Sequence, residues 1–437
     1  MTQFLTVVLM ALFIISADGF SQTIPKSAYV LNSVANTLSV INLENQTVIL
    51  DILSPGVNSM PNHMVIRNGK GYVVNSGTNS IMVFDLALLQ KIKFIPLPNE
   101  SNPWAMDFIN DSLTAVTFFN TDETAIVNVN TNQIIHTIQV GYSPEAVKYY
   151  NGKIYVANTG YIHYTLPYDP GSVSVIDACS YAIVDTILVG TNPQGLDVDS
   201  QGNLLVACTG VYPTSSGEFD IVDTNTNTVS LSISLSSHIT AVRVNSADKA
   251  YLATYGNGVM VYDLTSQTFE RGEGNPLTGG PGIAFDVQNN AYIIEFGNGT
   301  NAGKMRVFSP THQQINIYTV NVGPVYVDVY DPASTNITNT GEIVADKFIL
   351  YQNYPNPFNP ATTIAFILPE AGTVTLDVFN LIGQKIRTIC DEKISAGLHK
   401  FEWDGQNQNG SPAPSGIYFY RLKNNKAAVV RKMQLLR

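Results

Sequence analysis

Charge is scarce in this chain. Only 13% of its 437 residues are Asp, Glu, Lys or Arg, and acids outnumber bases 34 to 23. That balance argues against a nucleic-acid partner, since phosphate binding needs a basic face. Cysteine is rarer still, with Cys179, Cys208 and Cys390 the whole complement. In an exported chain an odd count leaves at least one thiol free. Cys179 and Cys208 are expected at strand ends on opposite faces, so they should not pair. All three read as small buried hydrophobes. The six His are scattered, and no His/Cys or His/Asp cluster has metal-ligand spacing, so no metal is expected. No Gly-rich phosphate loop precedes a helix, no Ser sits in a nucleophile elbow, and no feature asks for a cofactor. Long apolar runs are missing beyond the N-terminus, which excludes a transmembrane helix there. The one apolar stretch, Phe4–Ile15, is short and followed by small residues. Residues 1–21 therefore read as a secretory signal peptide, with Gly19 and Ser21 at the two small positions and cleavage after Ser21. No Cys follows it, so a lipoprotein anchor is not expected.

What is abundant is alternation. From Lys153 to Leu196 the runs Lys153–Asn158, Gly171–Asp177, Ala182–Gly190 and a fourth ending near Val198 are β-branched and aromatic, separated by Gly, Asn and Pro. Four short antiparallel strands in about forty to fifty residues make one propeller blade. Aligning on Tyr155-Val156-Ala157-Asn158 finds seven copies, beginning at Tyr29, Tyr72, Ala115, Tyr155, Leu205, Tyr251 and Tyr292, spaced by 43, 43, 40, 50, 46 and 41 residues. A Pro or a stand-in precedes each copy after the first: Pro61, Pro103, Pro144, Pro193, Ile239 and Gly280. Pro324 leads instead into an orphan run, Val325–Val329, with no Tyr-Val strand after it. Such a strand should join the N-terminal strands around Tyr29 and Val40 and close the ring, hiding both sheet edges. Tyr155-Val156-Ala157-Asn158, with Ser172–Asp177 and Thr186–Gly190, resembles the YVTN-type β-propeller repeat over residues 28–330. The resemblance implies the toroid and, in some cousins, a lactonase or amine dehydrogenase, but no fixed chemistry.

The charge changes sign near residue 340. Residues 23–340 hold 12 Lys and Arg against 25 Asp and Glu, a net of −13, while residues 341–437 hold 11 against 8, a net of +3. This break, with the Thr/Asn-rich stretch at 331–346, marks a linker. Tyr354-Pro355-Asn356-Pro357-Phe358-Asn359-Pro360 is too Pro-rich for a helix or central strand, so it is read as extended. Runs at Thr362–Leu368, Val374–Phe379, Lys385–Ile389, Leu398–Trp403, Ile417–Leu422 and Ala428–Leu435 follow, which read as a small immunoglobulin-like β-sandwich. The Pro-rich run, Val378–Gln384 with Gly383, Ser415–Tyr420 with Gly416 and Tyr418, and the basic end from Lys432 to Arg437 resemble the C-terminal sorting domain of type IX secretion cargo. The resemblance implies export across the outer membrane of a Gram-negative bacterium, with the type IX machinery as a partner. The alternative is a plain adhesive module. The expected organisation is all-β: a signal peptide at 1–21, a seven-bladed propeller at 22–330, a linker at 331–346 and the sandwich at 347–437.

Two sets of residues can carry function. The fourth residue after each Pro position is Val65, Asp107, Lys148, Asp197, Arg243, Ala284 or Asp328. Facing the channel or the seams, the charged members would form an ion-pair arc, satisfying one another or holding a polar substrate. The second set is a loop surface. Blade four inserts Tyr161, His163, Tyr164 and Tyr168, blade five inserts Tyr212, and Asn62, Trp104, Glu145 and Gln194 follow the Pro positions at the channel mouth. Aromatic rings offer apolar area and amides give orientation, which suits sugar rings or peptide segments. The other reading packs these Tyr onto their own blade. The expectation is a monomeric, non-enzymatic propeller, secreted or on the outer cell surface, that binds a glycan or protein. A propeller hydrolase or lactonase with its site at the channel mouth is the second expectation, and a quinone-bearing redox enzyme the third.

Overall fold

The computed structural model describes residues 24–162, 168–333, 349–350, 353, 356–368, 372–394, 397–425 and 427–437. The expected signal peptide and most of the expected linker lie outside them. The chain divides into two compact units, Met1–Thr338 and Asn339–Arg437. Among the described residues every regular element is a β-strand.

Among its described residues the first unit holds seven four-stranded antiparallel sheets. Blade four is typical: Pro144–Tyr150 is innermost, followed outward by Lys153–Asn158, Ser172–Asp177 and Ile183–Leu188. The two middle strands are covered on both faces and so are nearly continuous in apolar residues. Their side chains still alternate with the two-residue period of a strand. In Lys70–Asn75, Tyr72 and Val74 pack with Met106, Phe108 and Val116 of blade three, while Val73 between them packs with Tyr29 and Leu31 of blade one. Seven such apolar clusters fill seven seams between neighbouring blades, the last joining Tyr292 and Ile294 to Ala28 and Val30. Each buried side chain of this size contributes about 1.5–3 kcal/mol. The turns are also written locally. Asn42, Asp85, Asn128, Asp177, Asp223 and Asp263 end the third strands of blades one to six. Each side-chain oxygen accepts the backbone N–H two residues on, at 2.8–3.2 Å.

The ring closes where the orphan strand falls. Pro324–Tyr330 pairs antiparallel with Ser27–Asn32, Tyr29 opposite Asp328, and becomes the innermost strand of the blade that continues through Thr37–Asn42 and Val48–Leu53. The blade boundary therefore differs from the first reading by one strand. The run at Pro193–Val198 is not the outer member of the blade-four sheet. It pairs with Leu204–Cys208 and opens blade five, because the chain crosses to the next sheet at each Pro. A second correction concerns the thiols. Cys208 and Cys390 are buried, but Cys179 is exposed and free. It sits in the turn that Asp177 caps, its own N–H bonded to that carboxylate at 3.2 Å, so its position is set by the turn and not by a core.

The second unit has two sheets among its described residues. One orders Ile349–Leu350, Thr362–Leu368 and Gly397–Trp403. The other orders Lys385–Ile394, Gly372–Asn380, Gly416–Lys423 and Ala428–Leu435. Trp403, Phe366, Leu376, Val378, Tyr420 and Met433 fill the space between them. Two polar tips find partners in that core: Trp403 Nε1 donates to Gln406 O at 2.8 Å, and the Tyr418 hydroxyl donates to Pro414 O at 2.7 Å. The Pro-rich run is expected to be extended, but where it is described the backbone bends on either side of Phe358, which alone forms a β-bridge to the last strand. Phe358 exchanges backbone bonds with Gln434 and Leu436, and its ring lies 5.6 Å from that of Trp403. Asn356 accepts the Gln434 N–H at 2.8 Å, and Pro357, Asn359 and Pro360 complete the segment. Tyr354 and Pro355 lie outside the described residues. Gly383 has a φ of 80° in the hairpin turn, Gly416 opens a strand, and Lys432 is exposed on the last one.

Candidate functional site

The seven fourth-position residues share one register. Val65, Asp107, Lys148, Asp197, Arg243, Ala284 and Asp328 each stand opposite the first residue of the Tyr-Val motif of the same blade. The inner strands carry them to the channel, and the carboxylates reach forward. Asp107 accepts the Tyr149 N–H at 2.8 Å, Asp197 the Val244 N–H at 2.8 Å, and Asp328 the Ile66 N–H at 3.1 Å. Each thus ties its blade to the backbone of the next. One close ion pair forms within this set among the described residues, Lys148 Nζ to Asp197 Oδ1 at 2.8 Å. Arg243 meets the Tyr326 hydroxyl, and the His63 ring stands edge-on to Tyr326 at 4.6 Å. Burial works to raise the Asp197 carboxyl, but Lys148 and Arg243 hold it below its ordinary value. Burial pushes Asp328 up to about 6. Burial, with Arg243 and Lys148 adding, pushes His63 down to about 3, so that ring is neutral.

The channel mouth is shaped by a repeated irregularity. At the start of the inner strands of blades two to five the register slips, between Pro61 and His63, Pro103 and Met106, Pro144 and Val147, and Pro193 and Gly195. Pro suits the first position because the channel edge needs no N–H there. The bulge that follows re-aims the next side chain. In blades four and five the re-aimed residues are Glu145 and Gln194, and both line an open recess of about 300 Å³. Its walls are Phe119 from blade three, Thr159, Tyr161 and Tyr168 from the long loop of blade four, and Asn192 from blade five.

That loop is pinched at its base. Gly160 has a φ of 76°, and a Cβ there would fall 2.2 Å from Asp169 O, so no other residue closes the neck without a shift. The Asp169 N–H bonds Gly160 O at 2.8 Å, and the Ser143 hydroxyl donates to Tyr161 O at 2.8 Å. The rings then run in series: Trp104 to Phe119 at 5.3 Å, Phe119 to Tyr161 at 6.1 Å, and Tyr161 to Tyr168 at 5.3 Å. Glu145 is only 7% exposed, and burial pushes its carboxyl up to about 8. Gln194 Nε2 approaches it at 3.5 Å, and Gln194 Oε1 accepts from Thr209 Oγ1 at 2.9 Å.

The structure thus gathers Glu145, Tyr161, Tyr168 and Gln194 into one recess. Trp104 supports it from behind, half-buried against Phe119 and the seam of blades three and four. Asn62 belongs to blade two and Tyr212 to the loop of blade five, and neither lines the recess. His163 and Tyr164 lie outside the described residues. Sequence reasoning missed Phe119, Thr159 and Asn192. Phe119 directly follows its Tyr-Val-type strand, the same place from which the blade-four loop springs, and that offset was the available signal. Among the described residues no group of three His, Cys, Asp or Glu is arranged to hold a metal, and no helix is long and apolar enough to cross a membrane.

With this geometry in view, comparison with known proteins bears on the fold. The FlgD Ig-like domain family matches residues 358–428. Three solved structures resemble the chain. A quinonprotein alcohol dehydrogenase-like protein from Bacteroides thetaiotaomicron has a TM-score of 0.53 at 13% identity, covering 70% of this chain and 78% of its own. A functionally unknown protein from Desulfotomaculum acetoxidans has a TM-score of 0.52 at 14% identity, covering 68% and 99%. Hydrazine synthase of Kuenenia stuttgartiensis has a TM-score of 0.51 at 16% identity, covering 62% and 90%. The chain is a β-propeller followed by an Ig-like domain. At such identities the likeness is one of fold alone. No curated protein sequence matches the chain.

Proposed function

We propose that this chain is an exported propeller that binds a carbohydrate in the recess of blades three to five. The observation that carries the reading is the company Glu145 keeps. A buried carboxyl, an amide from Gln194 and another from Asn192 stand beside three aromatic rings in a recess of about 300 Å³, within reach of a small ligand. The rings take the apolar face of a sugar, and the polar groups take its hydroxyls. A glycan array probed with the full chain tests this, with Glu145→Gln and Tyr168→Ala as controls. Binding without turnover, weakened by both substitutions, is the expected result. Binding only to proteins, or sugar binding indifferent to both substitutions, would overturn it. A hydrolytic reading draws on the same Glu145, whose raised pKa suits a general acid. The described lining supplies a single carboxylate where glycoside hydrolysis uses a pair, so binding is the stronger reading.

Export follows from the two ends of the chain. Residues 1–21 have the pattern of a signal peptide, and the C-terminal unit carries the run to Pro360, the Gly383 and Gly416–Tyr418 segments and the basic end in the order of a type IX sorting domain. In this reading the protein crosses the inner membrane, transits the periplasm and leaves through the type IX machinery, to be released or held at the surface. Deleting residues 339–437 in a host that has this system should leave the propeller in the periplasm. Undiminished appearance outside the cell would defeat the assignment.

A further inference from the structure

We propose that the ligand is a neutral oligosaccharide several units long, lying along the channel mouth from the blade-four loop to blade six. This rests on the carbohydrate reading above and extends it. The recess does not end at Gln194. Thr209 Oγ1, which donates to Gln194, also lies 2.7 Å from Ile239 O, and the Thr209 carbonyl accepts from His238 Nδ1 at 2.8 Å. The His238 ring in turn stands edge-on to Tyr212 at 5.6 Å, and the His238 carbonyl accepts the Tyr255 N–H at 2.8 Å. A connected polar series thus leads from the first aromatic platform, Tyr161 with Tyr168, to a second made by Tyr212 and Tyr255.

The second platform is open. Tyr212 and Tyr255 are each 81% exposed, unusual for rings whose neighbouring polar groups are so firmly placed. The asymmetry of the propeller points the same way. The loops at this end expose Val34, Val57, Met60, Tyr142, Tyr212, Tyr255 and Phe296, whereas the turns at the other end expose one large hydrophobic among the described residues, Leu88. Apolar surface gathered on one end of a rigid scaffold marks a binding face. Two ring platforms with carboxyl, amide and hydroxyl groups between them suit a ribbon-like chain whose units offer flat apolar faces and polar edges, as neutral β-1,4-linked sugars do. Neutrality follows from Glu145, which is buried with no basic residue among the described lining, so an anionic sugar would meet no counter-charge.

The test is a length series on the full chain by titration calorimetry, with cellobiose and cellohexaose, mannobiose and mannohexaose, and chitobiose and chitohexaose as probes. At least one hexamer should bind about tenfold or more tightly than its dimer. Tyr212→Ala should cost that hexamer about fivefold and leave the dimer unchanged. Tyr255→Ala should act in the same direction, while Tyr168→Ala weakens both lengths. Affinity independent of length, or hexamer binding indifferent to both Tyr212→Ala and Tyr255→Ala, overturns the extended track and leaves the recess reading standing. If neither length of any probe binds, the track is refuted, and glycan-array binding then decides the recess reading separately.

Discussion

The Asp197 carboxylate does two jobs at once: Oδ1 holds Lys148 Nζ at 2.8 Å, and Oδ2 accepts the backbone N–H of Val244 at 2.8 Å. One side chain on blade five therefore ties blade four to blade six. Asp107 and Asp328 repeat the backbone half of this arrangement, each reaching the next blade.

Replacing Asp197 by Ala should cost more than replacing Lys148 by Met. The first strands Lys148 and an unpaired N–H in a half-buried channel, while the second removes one charge and leaves the carboxylate on its backbone donor. Losses on the order of 3 kcal/mol for Asp197→Ala, and clearly less for Lys148→Met, are expected from the penalty on unpaired buried charge. Chemical denaturation of both variants checks the order. Equal losses would mean the backbone bond contributes little.

Glu145 should give stability a pH dependence. Its folded pKa is raised from 4.5 to about 8, so the native state holds the proton where the unfolded state has lost it. The stability this gives is complete below the unfolded value and is lost as pH rises through the folded one. Between about pH 4.5 and 8 the wild type should weaken relative to Glu145→Gln by on the order of 5 kcal/mol. Parallel melting of the two proteins across that range measures it. A gap that does not change with pH would place Glu145 in water.

Tyr168 should matter to ligand and not to fold. A stacked ring adds about 0.5–1.5 kcal/mol beyond its area, so Tyr168→Ala should weaken sugar binding several-fold with Tm nearly unchanged. A core role would cost about 3 kcal/mol or more. Binding and melting on one preparation distinguish the two.

Removing Pro324–Tyr330 should unfold the propeller as a whole. The deletion strips the inner partner from Ser27–Asn32 and opens two seams, one packed by Val327 and the other by Tyr326. An exposed strand edge invites aggregation, so light scattering and loss of near-UV dichroism are expected together. A well-behaved truncated monomer would show that closure is not needed.

Much of this protein was legible in its sequence because its information is local. Period-two alternation, the repeated Tyr-Val run and a Pro opening most inner strands are short-range signals, and counting them gives seven blades with one strand left over. The sandwich strands from Thr362 to Leu435 were legible for the same reason. Three things were decided only by the tertiary structure. The blade boundary lies one strand from the repeat boundary, because pairing follows the crossing at Pro193 and not the period. Cys179 is exposed because the Asp177 turn claims it, although its composition resembles that of a buried residue. Above all, the recess draws Phe119, Glu145, Tyr168 and Gln194 from three blades. Neighbours across a seam stand about forty residues apart in sequence, and only the packing of successive blades, driven by burial of the seam clusters, brings them to one place.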